Sequence, residues 1–271
     1  RSRVLGASTK IPTPSGDKPL RHFDFIASGR FHADVEEELA ERVLPFMANT
    51  HTESNHTGRL MTSYYENAFA RIGAYVGASK EDVLIPVGSG STGAINRLIY
   101  VLGLRIPDQL EERHHLTRQI PENARPVIFR SMMEHHSNDL PWRARGRVVH
   151  ARCLPDGRLD EDHLDRLLAE HAGRVALLAV TGAANVTGYI QPIHRLARKA
   201  HAAGAAILVD AAQLAPHRRI DMRPDDDPEH LDFVTLSAHK MYAPFGTGAL
   251  VGPGEAFRHS APEYCGGGTV E

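Results

Sequence analysis

Two stretches of the chain, VALLAV at residues 175–180 and AAILVD at 205–210, are apolar at almost every position. A strand with one face in water alternates apolar and polar residues, so a run without alternation calls for burial on both faces. That burden fits a parallel sheet with helices above and below it. The surrounding pattern agrees. Strand candidates are Val83–Val87, Val127–Arg130, Val148–Ala151, Val175–Thr181, Ala205–Asp210, Phe233–Leu236 and Gly248–Val251, and helical patterns over Ser91–Val101, His136–Ala144, Asp160–Ala169 and Ile193–Ala203 fill most gaps. Alternation of this kind predicts right-handed crossovers and an α/β fold, a three-layer α-β-α sandwich around a mostly parallel central sheet. Two earlier helical stretches, Asp34–Met47 and Ser63–Val76, are joined by the polar segment ANTHTESNHTGRL.

Composition mainly excludes. The net charge of −2 over 271 residues gives no global pull toward nucleic acid or an anionic membrane. No apolar run approaches the roughly 18 residues that span a bilayer. Two cysteines, Cys153 and Cys265, build no disulfide framework and suit a reducing cytoplasm. The first twenty residues lack an apolar signal core and read as an N-terminal arm. The start without Met and the end at GGGTVE both read as cuts in a longer polypeptide.

The segment VLIPVGSGSTGAINRLIY places glycine at 88, 90 and 93, a G-x-G-x-x-G between a strand-like and a helix-like stretch. Free N–H groups and the helix dipole at such a turn suit a phosphate. One reading is an NAD(P)-dependent oxidoreductase with a dinucleotide in this loop. That reading needs a second strand ending in Asp or Glu about 20 residues on. The window LRIPDQLEERHHLTRQIPENARP holds Asp108, Glu111 and Glu112 but no strand to carry them. No Lys-Ser/Thr follows the last glycine, so the loop is not a Walker loop either.

Polar residues gather where the other strands end: Glu134 and His135 in MEHHSNDLPW, Asn185 in TGAANVTG, Asp210 in LVDAAQ, and Ser237–Lys240 in TLSAHKMY. Parallel strands put their C-terminal ends on one edge, where ligands bind, so these residues should converge beside the glycine loop. A lysine amine, a carboxylate and a phosphate-binding helix start together suit pyridoxal phosphate, which brings an aldehyde, a pyridine and a phosphate. Asp210 closes an apolar strand, and a carboxylate buried there needs a cation such as a pyridinium.

SAHKMYAPFGTGAL resembles the lysine signature of the class V aminotransferase group of fold-type I pyridoxal-phosphate enzymes, which includes cysteine desulfurases and selenocysteine lyases. EHHSNDLPW resembles the same group's E-H-H-x-N-x-x-P-W segment, and VDAAQ its V-D-x-A-Q, over roughly residues 20–271 and in the family's order. The resemblance implies residues 1–20 as an arm and 21–271 as the cofactor-binding large domain, aspartate aminotransferase-like. It implies that Lys240 forms the Schiff base and moves the substrate Cα proton, Asp210 pairs with the pyridine nitrogen and His135 stacks on the ring. Gln213 and Asn185 would approach the phenolic oxygen, while Ser91, Thr92, Ser237 and His239 would bind the phosphate. Asn49, His51 and Arg59 resemble an early substrate-side loop; a purely structural role suits them as well.

The implied substrate is a small amino acid and the implied assembly a homodimer, with GGGTV facing the neighbouring subunit. No metal is implied. Desulfuration, transamination and other chemistry on the same cofactor stay open. Ala238 replaces the family's glycine before His239, and APFGTG departs from the desulfurase-like G-P-T-G-x-G. The family's small C-terminal domain carries the arginine for the substrate carboxylate and, in desulfurases, the nucleophilic cysteine; both are expected beyond Glu271. Cys153 and Cys265 match neither place and read as incidental.

Overall fold

Successive residues of a strand point to opposite faces of its sheet, and here both faces are dry. The computed structural model describes residues 3–143, 147–243 and 246–258. Its strands are β1 (Lys10–Ile11), β2 (Lys18–Pro19), β3 (Asp82–Val87), β4 (Val127–Ser131), β5 (Arg147–Ala151), β6 (Val175–Thr181), β7 (Ala206–Asp210), β8 (Phe233–Ser237) and β9 (Gly248–Pro253). Its α-helices are α1 (Ala33–Glu38), α2 (His56–Val76), α3 (Gly90–Val101), α4 (Asp108–His114), α5 (Leu116–Gln119), α6 (Leu140–Arg143), α7 (Glu161–Glu170), α8 (Ile193–Ala202) and α9 (Gly254–Arg258).

Strands β3 to β9 form one sheet in the order β3-β9-β8-β7-β6-β4-β5. On one face Leu178 and Val180 of β6 join Ile207 and Val209 of β7, packed with Leu196, Ala197 and Ala200 of α8 and Leu164 of α7. On the other, Leu177, Ala179 and Leu208 meet Ile95 and Leu98 of α3 and Trp142 of α6. The missing alternation in VALLAV and AAILVD is therefore resolved as two cores, one on each side, and the three-layer architecture follows.

The last strand breaks the parallel pattern. β9 is antiparallel to both β8 and β3, with Gly248 opposite Ser237 on one side and Val87 on the other. Only ten residues separate Ser237 from Gly248, too few for the crossover a parallel return needs. The β3–β9 pairing also disposes of the dinucleotide reading. The strand after α3 in sequence, β4, lies at the far side of the sheet, so no β-α-β unit carries GSGSTG.

Helix boundaries shift where local chemistry decides. The second early helix starts at His56, ahead of the expected Ser63, because the Asn55 side chain accepts the Gly58 N–H at 2.7 Å and caps it. It stops at Gly77, whose φ of +66° is a left-handed cap. The stretch Asp34–Met47 does not form one helix: α1 ends at Glu38, a π turn covers Leu39–Val43 and a 3-10 turn covers Leu44–Phe46. It buries no side chain, and Pro45 removes a backbone donor. The expected helix His136–Ala144 splits into a 3-10 turn at His136–Asn138 and α6, since Pro141 suits a helix start and not its interior. Ala144, Cys265 and GGGTV lie outside the described residues. Residues of the N-terminal arm form the β1–β2 ribbon, and Arg3 pairs with Asp34 and Glu37. No helix among the described residues is long and apolar enough to cross a membrane.

Candidate active site

The parallel strands end on one edge, and their register sets the neighbours there. Thr181 of β6 lies opposite Asp210 of β7, and Asp210 opposite Thr235 of β8. A cavity of about 150 Å³ opens on this edge. Ser91, Thr92, His135, Asn185, Asp210, Gln213, Ser237, His239 and Lys240 all line it, so the structure brings together the nine side chains singled out in the sequence. Ala27, Ser89, Ser137, Thr181 and Ala212 complete the wall. Of these, Ser89 and Ser137 sit inside GSGSTG and EHHSNDLPW, but nothing in the sequence pointed to Ala27, 55 residues before the sheet begins at Asp82.

The start of α3 is held by close backbone contact. Gly90 has φ +58°, and its N–H donates to the Gly246 carbonyl at 2.7 Å. A Cβ on Gly90 would sit 2.8 Å from Ser237 Oγ and 3.0 Å from His239 Cε1. Glycine is needed here for its positive φ and for the space. The Ser91 N–H donates to Ser237 Oγ at 2.9 Å, and the Ser237 hydroxyl donates to Ser91 Oγ at 3.1 Å. The Thr92 hydroxyl donates to Ser137 Oγ at 2.8 Å. Both hydroxyls thus engage protein partners. His239 Nδ1, packed against Gly90, is buried and has no partner.

Asp210 is 3 % exposed, and its Oδ1 accepts from the Ala212 N–H at 3.1 Å and more weakly from the Thr235 hydroxyl at 3.4 Å. Burial pushes its carboxyl above the usual range, opposed by the Ala212 and Ser91 hydrogen bonds and by the Lys240 charge. Lys240 closes a 3-10 turn, Ala238–Lys240, directly after β8, and burial lowers its ammonium below the ordinary lysine value against the pull of Asp210. Ala238 is not among the residues with positive φ, so alanine fits where the family's glycine stands. His135 is lowered chiefly by desolvation and then by Lys240, and its Nδ1 accepts the Ser137 N–H at 3.1 Å. A neutral ring here carries its proton on Nε2.

Behind His135 lies a polar network that the sequence showed only in part. Glu134 Oε1 accepts from the Ser131 hydroxyl at 2.5 Å and Oε2 from Asn138 Nδ2 at 2.6 Å, and Trp142 Nε1 donates to Asn138 Oδ1 at 2.9 Å. Desolvation, with a smaller push from the Asp210 charge, raises Glu134 to about 7 against these hydrogen bonds. Gln191 Nε2 reaches Ser131 Oγ at 3.4 Å, while Gln191 Oε1 is buried without a partner. In EHHSNDLPW the Glu, Asn and Trp therefore support one another and fix the turn that presents His135.

The N-terminal segment closes the remaining side. Gln213 Nε2 donates to the Ile26 carbonyl at 2.7 Å, and a Cβ on Gly29 would lie 2.8 Å from the His239 carbonyl oxygen. Tyr242, at φ +63°, meets the rings of Phe25 and His32. Asn49, His51 and Arg59 do not line the cavity; Arg59 instead donates to the Glu53 carbonyl at 2.7 Å, and the His51 N–H donates to Thr62 Oγ1 at 2.9 Å. Cys153 is half-buried, its thiol pushed up by desolvation, and it too lies outside the cavity wall.

The donor set fits pyridoxal phosphate. The orphaned His239 Nδ1 beside the N-terminus of α3 suits an anion, the buried Asp210 suits a cationic ring nitrogen, and Lys240 supplies an amine in the same cavity.

The sequence model of the family described as Aminotransferase class-V matches residues 22–271. A cysteine desulfurase of Dickeya dadantii (strain 3937) is 33% identical over 259 residues, covering 93% of this chain and 57% of the relative. A cysteine desulfurase of Pectobacterium carotovorum subsp. carotovorum (strain PC1) is 32% identical over 273 residues, 99% of this chain and 61% of the relative. The apo cysteine desulfurase from Thermococcus onnurineus NA1 superposes with a TM-score of 0.73 at 27% identity, over 92% of this chain and 57% of that one. The chain thus spans less than two-thirds of the length of these relatives.

Proposed function

Because this chain belongs to the class-V aminotransferase family, we propose that it is the cofactor-binding part of a pyridoxal-phosphate enzyme that removes sulfur from cysteine. The observation that carries this reading is the meeting of Lys240, the buried Asp210 and the start of α3 in one cavity. The choice of cysteine among small amino acids rests on relatives named as cysteine desulfurases.

Pyridoxal phosphate, when bound, supplies an aldehyde for the amine and a ring that withdraws electrons from the substrate Cα. The residues of this chain do the rest. Lys240 Nζ would be the amine that meets the aldehyde, and the burial that lowers its ammonium favours the free amine that, once released by substrate, would take and return the Cα proton. Asp210 would hold the positive charge of the ring nitrogen in a dry site, where such an ion pair is strong. His135, its Nδ1 fixed by the Ser137 N–H and its ring kept neutral by desolvation, would stack on the ring face. Ser91, Thr92, Ser237 and His239, gathered at the start of α3, would hold the phosphate with the helix dipole, and Gln213 and Asn185, on the same cavity wall, would approach the phenolic oxygen.

A second copy of the chain is the expected partner. Phe25 and Ile26, just before the cavity-lining Ala27, and Tyr242, two residues past Lys240, remain 40%, 50% and 41% exposed, an apolar set that suits a subunit contact. The proposed compartment is the reducing cytoplasm.

The test uses the purified polypeptide incubated with pyridoxal phosphate. A visible band should appear, borohydride should fix the cofactor on Lys240 in a peptide map, and Lys240→Ala should lack both. Cofactor fixed on another lysine, or no band, overturns the reading. With a polypeptide that spans the full length of the matched relatives, cysteine should yield alanine and, with added thiol, sulfide; turnover of a keto acid without sulfide would favour transamination instead.

A further inference from the structure

Position 137 is the open one in E-H-H-x-N-x-x-P-W, so the resemblance gives it no role, yet Ser137 stands at a junction of the candidate site. Its N–H donates to His135 Nδ1 at 3.1 Å, and its Oγ lies 3.0 Å from the same nitrogen. On its other side Oγ accepts the Thr92 hydroxyl at 2.8 Å, from the first turn of α3. The His135 side chain thereby caps the 3-10 turn His136–Asn138, and a cap of that kind accounts for the N–H contact alone. It leaves the two hydroxyls unexplained. Their contact bridges 45 residues of sequence, and Thr92, Ser137 and His135 all line the cavity.

These contacts fix where the hydrogens are. A backbone N–H only donates, so His135 Nδ1 holds a lone pair, and in the neutral ring the hydrogen sits on Nε2. With Nδ1 accepting, the Ser137 hydroxyl donates to it as well, which leaves Oγ free to accept from Thr92. The three groups form one directed chain, Thr92 O–H to Ser137 O–H to His135 Nδ1, in which each bond polarises the next. A proton reaches Nδ1 only by displacing both Ser137 donors. Nε2, already carrying hydrogen, offers a donor and no lone pair. The charges around the ring are Lys240 and His136, which oppose a proton on it, and Asp210, which favours one. The Glu134 carboxyl is turned to Ser131 and Asn138, and His239 shares the cavity wall.

We propose that Ser137 is a positioning residue that sets the state of His135: its two donors close Nδ1, and His135 meets cofactor and substrate as a fixed Nε2–H donor, not as a carrier of protons. On the cofactor reading above, on which this rests, Lys240 is then left as the group that moves the Cα proton. Thr92 ties the ring to the α3 start proposed for the phosphate.

The test is heteronuclear NMR of the apoprotein with isotope-labelled histidine rings, the His135 signals being assigned by their loss in His135→Gln. Wild type should show a single His135 tautomer across neutral pH, with hydrogen on Nε2. Ser137→Ala keeps the backbone N–H and loses the hydroxyl, so the proton affinity of His135 should rise roughly fivefold, the equivalent of about 1 kcal/mol for one net hydrogen bond. Ser137→Thr should restore the wild-type titration. Thr92→Val should raise the affinity by less, and the double variant no further than Ser137→Ala, because Thr92 acts through Ser137. A merely structural Ser137 would change the melting temperature and leave the titration in place. The proposal is overturned by hydrogen on Nδ1 in the wild type, by an unchanged titration in Ser137→Ala, or by additive effects of the two substitutions. The wild-type tautomer decides even where a variant fails to fold. No cofactor enters this readout, so a missing visible band with pyridoxal phosphate would overturn the cofactor reading and not the tautomer set by Ser137.

Discussion

Gly248→Ala is a one-carbon test of how the sheet builds the proposed phosphate end. Gly248 opens β9 between Val87 and Ser237, directly beneath the first turn of α3. A Cβ there would lie 2.3 Å from the Leu236 carbonyl oxygen, 2.5 Å from Gly90 Cα and 2.7 Å from Gly90 C. Comfortable carbon contacts are about 3.5–4.0 Å, so α3 and β9 must separate by roughly 1 Å. Both obstacles are backbone, and no rotamer change relieves them. Overpacking costs about 1–3 kcal/mol, and this site belongs at the upper end, which lowers the melting temperature by about 5–10 °C. The displacement also pulls Gly90 from the Gly246 carbonyl and lifts the helix start from Ser237. Pyridoxal phosphate should therefore bind at least tenfold more weakly, a loss of about 1.4 kcal/mol. Gly252→Ala is the control on the same strand. Its Cβ would meet Phe233 Cδ1 at 2.4 Å, far from the cavity, so stability should fall while cofactor affinity holds. Calorimetry and cofactor titration of the two apoproteins read both quantities. Wild-type cofactor affinity in Gly248→Ala, with stability lowered, would show that the α3 start does not carry the phosphate; wild-type stability would refute the packing argument itself.

Two further outcomes follow from the buried acids. The folded Glu134 carboxyl holds its proton up to about 7 against an ordinary 4.5, so the native state binds more protons than the unfolded chain between those values. Stability should then fall as pH rises from 4.5 to 7, by at most roughly 3 kcal/mol. In Glu134→Gln the slope should become shallower by that contribution, leaving the part due to Asp210, in urea melts at several pH values; an identical slope would mean that the Glu134 carboxyl is already ionised. Burial likewise raises Asp210, so Asp210→Asn should leave the apoprotein as stable as wild type, or more so, at pH 8. The same change should nearly abolish turnover because the ring nitrogen loses its charge partner. A destabilised apoprotein with full activity would reverse both assignments.

How much of the fold was legible depended on where the information sat. The strands were readable because each lies between two dry layers: Ile207, Leu208 and Val209 must all be apolar, whichever face each meets. The direction of β9 was not readable from its own residues, which resemble the other strands. It followed from the short connection after Ser237, a property of spacing. The failure at Asp34–Met47 has the opposite cause. Its periodicity is helical, but it buries nothing among the described residues, and periodicity without a packing partner leaves short turns free to choose their own hydrogen bonds.

The site divides along the same line. Asp210, His135, Ser91 and Lys240 were legible because each ends a strand, starts a helical turn or follows a strand end within a few residues, and a parallel sheet gathers such positions on one edge without help from side chains. What lay beyond reach depends on tertiary contact. Ala27 has no chemical signature, and it reaches the cavity only because the Ile26 carbonyl meets Gln213 and Gly29 fits against the backbone of His239 and Lys240. The raised carboxyl of Glu134 comes from its burial, which outweighs the hydrogen bonds from Ser131 and Asn138 that favour the charged form. A proton held on Glu134 keeps one negative charge away from the buried Asp210, the carboxylate proposed to meet a cationic ring. The E-H-H-x-N-x-x-P-W spacing is thereby given a physical content: Asn138 and Trp142 hold Glu134, and Glu134 in turn sets both the turn that presents His135 and the charge at the floor of the cavity.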